Sequence, residues 1–187
     1  MRATEFLTDL VQKLERRDLR YALVGSIATM SYGEPRATLD IDVVVALDAS
    51  ELDVVAGLFP PPDFYLSIDA AREAVRSQSQ FNVIHPASGM KVDFFVAGDA
   101  IERSQIERRL RRSILPETKA WFSPPEELVI KKLAYYSAGG SDKHLRDIAS
   151  MFRISPEQID LRRLRKLASE HQLGEVLDGV LEAAAED

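Results

Sequence analysis

The chain is expected to fold as a mixed α/β domain followed by a helical appendage, on three observations. Short apolar stretches rich in β-branched residues (Tyr21–Val24, Leu39–Val45, Phe81–His85 and Met90–Val96) all lie before residue 123. They are interleaved with segments whose apolar residues recur at helical spacing. After the break Ser123-Pro124-Pro125, every patterned segment is helical. Strands gathered early and helices gathered late mark an α/β or α+β unit with a helical tail. Two domains are therefore expected, 1–122 and 123–187.

The elements follow in order. Thr4–Arg17 places Phe6, Leu7, Leu10, Val11 and Leu14 on one helical face. Tyr21–Val24 is a short buried strand ending at Gly25. Ser26–Tyr32 is a helix that the turn Gly33-Glu-Pro-Arg36 stops. Leu39–Val45 is a second buried strand. Ala49–Leu58 is a helix with Ser50 as its N-cap, halted by Pro60-Pro61-Pro62. Ile68–Arg76 is helical. Phe81–His85 and Met90–Val96 flank Pro86-Ala-Ser-Gly89 and form a hairpin. Ile101–Glu107 is helical, and Leu110–Leu115 and Lys119–Phe122 are short strands. Beyond the break come helices over Glu126–Ser137, Asp142–Phe152, Pro156–His171 and Leu173–Ala185, with Ala138-Gly-Gly-Ser141 as a linker.

Composition narrows the chemistry. The 187 residues are 45% hydrophobic and 29% charged, values of an ordinary globular protein. With no cysteine, disulfides, thiolate metal centres and a cysteine nucleophile are excluded. Three histidines, His85, His144 and His171, without HxxxH spacing argue against an imidazole metal site. The longest apolar run, Val43–Leu47, is far shorter than a membrane span. The N-terminal stretch lacks a leader-like apolar region. A soluble, cytoplasmic protein without membrane contact is expected. The net charge of −6 argues against bulk coating of nucleic acid but leaves room for local basic patches.

The informative stretch is Leu23-Val-Gly-Ser26 followed by Leu39-Asp-Ile-Asp-Val43. Residues two apart on a strand share a face. Asp40 and Asp42 therefore project together, opposite Ile41, Val43 and Val45. Two adjacent carboxylates in an apolar strand repel one another, and their burial is costly without a cation. A hard divalent ion such as Mg2+ is the natural partner; the bland alternative is a polar strand end. Lys91-Val-Asp-Phe-Phe-Val96 puts Asp93 in another apolar strand. It joins the first two acids if the strands are neighbours, and three carboxylates suffice for two ions. The strand-to-helix step Gly25-Ser26 offers backbone N–H groups and a hydroxyl to a phosphate, although Gly-Ser is also a common turn and cap.

These residues resemble the signature of the nucleotidyltransferase superfamily, the polymerase-β-like fold. Its hydrophobic-Gly-[Gly/Ser] step, spacer and Asp-hydrophobic-[Asp/Glu]-hydrophobic strand read here as Val24-Gly25-Ser26, thirteen residues, then Asp40-Ile41-Asp42-Val43. The resemblance implies a mixed β-sheet flanked by helices with a C-terminal helical subdomain. It further implies transfer of a nucleotidyl group from a nucleoside triphosphate to an acceptor hydroxyl. Asp40, Asp42 and Asp93 would then hold Mg2+ in two sites, with Gly25 and Ser26 on the phosphates. A narrower likeness is carried by Gly33-Glu-Pro-Arg-Ala-Thr-Leu-Asp-Ile-Asp42, Pro125–Leu133 and Lys143–Ile148. These segments are similar to the AbiEii-type toxin nucleotidyltransferases of bacterial toxin–antitoxin pairs. That likeness implies an RNA acceptor such as tRNA, a partner antitoxin, and a helix lysine and later aspartate that complete the site. A small-molecule acceptor, as in antibiotic nucleotidyltransferases, and a non-catalytic nucleotide- or partner-binding relative are the alternatives.

Helical geometry selects the lysine. Lys131 follows Glu127 by one turn, so an i,i+4 surface pair accounts for it. Lys132 falls between Leu128 and Tyr136 inside the apolar stripe and needs an anion; a triphosphate serves, and a snorkelling side chain is the alternative. Asp147 is the matching aspartate, or else balances Arg146. Arg36 and Thr38 precede the paired acids and border the nucleotide in the narrower family; Arg36 is otherwise a turn arginine in solvent. Two basic runs, Arg108–Arg112 and Arg162–Lys166, are landing points for RNA phosphates or an acidic partner, or simply solvated surface.

Overall fold

The computed structural model describes residues 3–115 and 118–186. Met1 and Arg2, part of the stretch read as lacking a leader, lie outside the described residues. The chain forms two units: Met1–Ser26 with Thr38–Ser123, and Ile27–Ala37 with Pro124–Asp187.

The first unit is built on a seven-stranded sheet. Its strands are β1 (Arg20–Leu23), β2 (Asp40–Ala46), β3 (Tyr65–Leu66), β4 (Gln80–His85), β5 (Met90–Val96), β6 (Leu110–Leu115) and β7 (Thr118–Phe122). The order is β3-β4-β5-β2-β1-β7-β6. β2 runs parallel to β5, and β1 parallel to β7; the other neighbours are antiparallel. The sheet is therefore mixed, as expected for the class.

One face of the sheet is apolar. Ile41, Val43 and Val45 of β2 and Val92, Phe94 and Val96 of β5 are all buried. Helix α1 (Ala3–Glu15) buries the five residues its spacing had marked, Phe6, Leu7, Leu10, Val11 and Leu14. Phe59, Phe64, Phe81 and Phe94 form a chain of ring contacts with Phe6 and His85. His85 thus belongs to an aromatic cluster. Burying side chains of this size contributes about 1.5–3 kcal/mol each, which fixes the strand registers on which the opposite face depends.

Three local expectations change. Helix α3 (Leu52–Leu58) starts later than Ala49, because the Asp48 carboxylate accepts from the Ser50 and Glu51 amides. Ser50 is thus part of an Asp-centred turn and does not cap the helix. Strand β3 was not anticipated; two residues are too few for alternation to show. Helix α2 (Gly25–Met30) begins one residue earlier and is only six residues long. Helices α4 (Ile68–Ser77) and α5 (Ala100–Glu107) lie where expected, and α5 opens on a capping box between Asp99 and Glu102.

The second unit is helical: α6 (Pro125–Gly139), α7 (Asp142–Ile154), α8 (Leu161–Glu170) and α9 (Gly174–Glu186). α6 packs on α7, α8 and α9. The expected helix Pro156–His171 is broken. Pro156–Gln158 is a single 3₁₀ turn, and Asp160 starts α8 afresh by accepting from the Arg163 amide. Leu164 and Ala168 are buried, while Leu161, the first residue of α8, is 48% exposed. Glu127, expected on the surface beside Lys131, is fully buried, and its carboxylate meets Arg163 of α8. No helix among the described residues is long and apolar enough to cross a membrane.

Candidate active site

The parallel pairing of β2 with β5 sets Asp42 directly across from Asp93, and Asp40 across from Lys91. Neighbouring strands lie roughly 5 Å apart, and partnered residues project from the same face. Asp40, Asp42, Lys91 and Asp93 therefore form the four corners of a patch on the more open face. Alternation does the rest: their neighbours Ile41, Val92 and Phe94 point into the core. β4 adds Asn82 beside Asp93 and Ile84 beside Lys91. Asn82 is exposed on this face; its neighbourhood with the acids depends on cross-strand register and has no signal in local sequence.

Lys91 is the main feature that sequence reasoning missed. Its Nζ lies 2.7 Å from Asp93 Oδ2 and 3.7 Å from Asp40 Oδ1. The Asp93 hydrogen bond holds the ammonium above its ordinary pKa, against a smaller opposing effect of burial. The Asp40 side chain is 56% exposed and that of Asp93 16%. Among the described residues, no group of three acidic or imidazole side chains stands ready-made as a metal cage. In its chemistry the donor set suits a hard divalent cation: carboxylate oxygens only, from two strands in register. A cation, the Lys91 ammonium, already rests between two of them.

Gly25 fits against this patch. It has φ +57°, the left-handed region, and a Cβ placed on it would stand 2.5 Å from Asp42 Cγ and 2.8 Å from Asp42 Cβ. Only glycine leaves room there for the Asp42 side chain. The Val24 amide donates to the Asp42 carbonyl at 2.9 Å, tying the strand-to-helix step to β2. Helix α2 is too short for its dipole to matter. What Gly25-Ser26 offers a phosphate is the backbone of the turn and the Ser26 hydroxyl. Thr38 Oγ1 donates to the Asp40 carbonyl at 3.1 Å and accepts from the Asp40 amide at 3.3 Å. Thr38 thus closes a turn at the start of β2.

The remaining expected site residues lie in the helical unit. Lys132 is 8% exposed, and its Nζ is 2.6 Å from Asp147 Oδ2. The anion demanded by the apolar stripe is therefore supplied by the protein, and Asp147 serves Lys132 rather than Arg146. The other Asp147 oxygen lies 3.5 Å from Arg36 Nε, so Arg36 is held in place. Burial pulls the Lys132 ammonium below its ordinary pKa, and Asp147 offsets part of that. The outer rung of the same seam is a ring pair, Tyr135 with His144, 5.7 Å apart.

Part of each basic run is engaged within the protein. The guanidinium groups of Arg109 and Arg111 lie 4.7 and 5.1 Å from the Trp121 ring centroid, and Arg111 also pairs with Glu15. The aromatic partner comes from the next strand, not from within the run. On α8, Arg163 meets Glu127, Arg165 lies 2.7 Å from Asp178, and Lys166 lies 3.8 Å from Glu170.

No protein-family model matches the sequence, and no curated protein matches it significantly. Solved structures do. An antigenic nucleotidyltransferase-like protein from Paracoccidioides brasiliensis aligns with a TM-score of 0.57 at 23% identity, over 96% of this chain and 92% of that one. ANT(2'')-Ia, solved with adenylyl-2''-tobramycin, aligns with a TM-score of 0.60 at 12% identity, over 90% of this chain and 98% of that one. JHP933 from Helicobacter pylori aligns at 0.52 and 16% identity, over 97% and 85%. The fold is thus that of nucleotidyltransferase-like proteins. At these identities the likeness shows the fold and not the narrower AbiEii-type relation.

Proposed function

We propose that the chain is a metal-dependent nucleotidyltransferase that moves a nucleoside monophosphate from a triphosphate to an acceptor hydroxyl. The observation that carries this is the carboxylate patch: Asp42 and Asp93 in register across β2 and β5, with Asp40 one step along and Gly25 cleared for Asp42. Asp40, Asp42 and Asp93 would hold the divalent ions. Two such ions, Mg2+ by preference, would supply charge stabilisation in the transfer. Asp93 accepts the proton of the acceptor hydroxyl. The acceptor oxygen bonds to the α-phosphorus, the bond from that phosphorus to the bridging oxygen breaks, and pyrophosphate leaves. Gly25 and Ser26 orient the β- and γ-phosphates. Lys132 and Arg36 meet Asp147 within the helical unit. Thr38 shapes the turn that presents Asp40. Rate enhancement comes from positioning and electrostatics.

For the acceptor, the engagement of Arg109 and Arg111 by Trp121 and Glu15, and of Arg163 by the buried Glu127, favours a small hydroxylated molecule over RNA. An RNA-modifying toxin with a partner antitoxin is the second reading, carried by the Gly33–Asp42 stretch. The test incubates each labelled triphosphate and Mg2+ with total tRNA or with a panel of aminoglycosides. Label transfer that Asp42→Asn and Asp93→Asn abolish is the expected result. Transfer to tRNA that falls steeply with salt would reverse the choice of acceptor. Tight triphosphate binding without transfer to any acceptor, equal in wild type and Asp93→Asn, would make the chain a binding module.

A further inference from the structure

The patch contains a positive charge that the proposed reaction does not use. Lys91 lies two residues before Asp93 on the same face of β5, and across the parallel register from Asp40. Its Nζ reaches Asp93 Oδ2 at 2.7 Å and Asp40 Oδ1 at 3.7 Å. Its other cross-strand neighbour is Ile84, which has no charge to offer. The ammonium thus lies against oxygens from which a metal site on this face would be built. Its side chain is 34% exposed, so it can leave for solvent without unpacking the sheet.

We propose that Lys91 is a displaceable counter-ion: it occupies the carboxylate patch in the metal-free protein and is expelled when a divalent cation binds. The proposal rests on the reading of Asp40, Asp42 and Asp93 as a metal site. An ammonium and a divalent cation cannot share the same carboxylate oxygens at contact distance, because two positive charges a few ångströms apart repel strongly outside bulk water. Lys91 therefore relieves repulsion among the three acids when no metal is present. The same contact lowers the affinity for metal alone, and phosphate oxygens that complete the ion's shell offset that loss.

The test counts free Mn2+ by its paramagnetic resonance signal in titrations of the full chain without nucleotide. Wild type, Lys91→Met, Lys91→Arg and Asp42→Asn are compared, with circular dichroism to check folding. Lys91→Met should bind Mn2+ about tenfold more tightly than wild type, Lys91→Arg about as wild type, and Asp42→Asn far more weakly. Unchanged or weaker binding by Lys91→Met, with binding still lost in Asp42→Asn, overturns the counter-ion role and leaves the metal site standing. No binding by wild type or Lys91→Met, with or without a triphosphate, overturns both. A second measurement needs no variant: lysines are reductively methylated with a carbon-13 label and Mg2+ is added. The Lys91 methyl resonance should shift toward that of a free lysine, and its failure to move while Mg2+ binds also overturns the displacement.

Discussion

Replacing Gly25 by alanine separates two effects that usually travel together, backbone strain and steric displacement. Gly25 and Gly89 share a left-handed backbone, with φ +57° and +69°. Placing alanine in that region costs about 1–2 kcal/mol. Around Gly89 nothing stands within 4 Å of an added Cβ, whereas at Gly25 the Cβ would fall 2.5 Å from Asp42 Cγ. Gly89→Ala should therefore lose strain energy alone. For a chain of this size that is a fall in melting temperature of about 2–8 °C. Gly25→Ala should lose at least as much stability and also push the Asp42 carboxylate aside. A misplacement of about 1 Å at a reacting centre costs on the order of 100-fold in rate. The assay pairs thermal melts with Mn2+ binding and with pyrophosphate release from the preferred triphosphate. Gly89→Ala should match wild type in both functional readouts, and Gly25→Ala should fail both. Wild-type metal binding and turnover in Gly25→Ala would refute the claim that the missing side chain makes room for a working Asp42. Equal functional loss in Gly89→Ala would show that strain in general, not Asp42, is being read.

Two further expectations concern the helical unit. Asp147→Asn leaves the Lys132 ammonium, 8% exposed, without its carboxylate; it should cost about 3 kcal/mol in chemical denaturation. Lys132→Met with Asp147→Leu should recover most of that loss, and a double variant as unstable as the single one would contradict the pairing. Burial raises the Glu126 carboxyl above its ordinary value of 4.5, partly opposed by the Asp160 amide donating to it. The native state therefore keeps this proton where the unfolded chain has released it. Its contribution to stability is largest below pH 4.5 and declines as pH rises through the raised value. Glu126→Gln removes that decline, so its stability relative to wild type should grow as pH rises from 4.5 through the raised Glu126 value. Parallel melting curves across that range would count against it.

What could be read from sequence was what local periodicity determines. Alternation put Asp40 and Asp42 on one face and marked Asp93 as a strand residue, and the turn Pro86–Gly89 foretold the hairpin. The buried face of α1 followed from spacing alone. What escaped depended on partners distant in the chain. Lys91 looked like an unremarkable strand residue until the β2–β5 register set it beside Asp40. Lys132 demanded an anion, but sequence could not tell a bound phosphate from Asp147, fifteen residues away on the next helix. Glu127 and Lys131 showed a familiar surface spacing, yet burial of Glu127 is decided by the packing of α8. The basic runs looked available because their partners, Trp121, Glu15 and Asp178, lie outside them.

The carboxylates sit on β2 and β5, adjacent inner strands that each have at least two strands on either side in the order β3-β4-β5-β2-β1-β7-β6. Sheets fray from their margins inward, and amides in central strands exchange only when the whole domain opens. The acidic patch therefore rides on the part of the sheet that opens last. The two-residue β3 and the β6–β7 ribbon lie at the margins. Sequence drift, insertions or partial opening there can proceed without moving Asp42 relative to Asp93. In such an arrangement the periphery is free to acquire new acceptor contacts while the reacting centre keeps its dimensions.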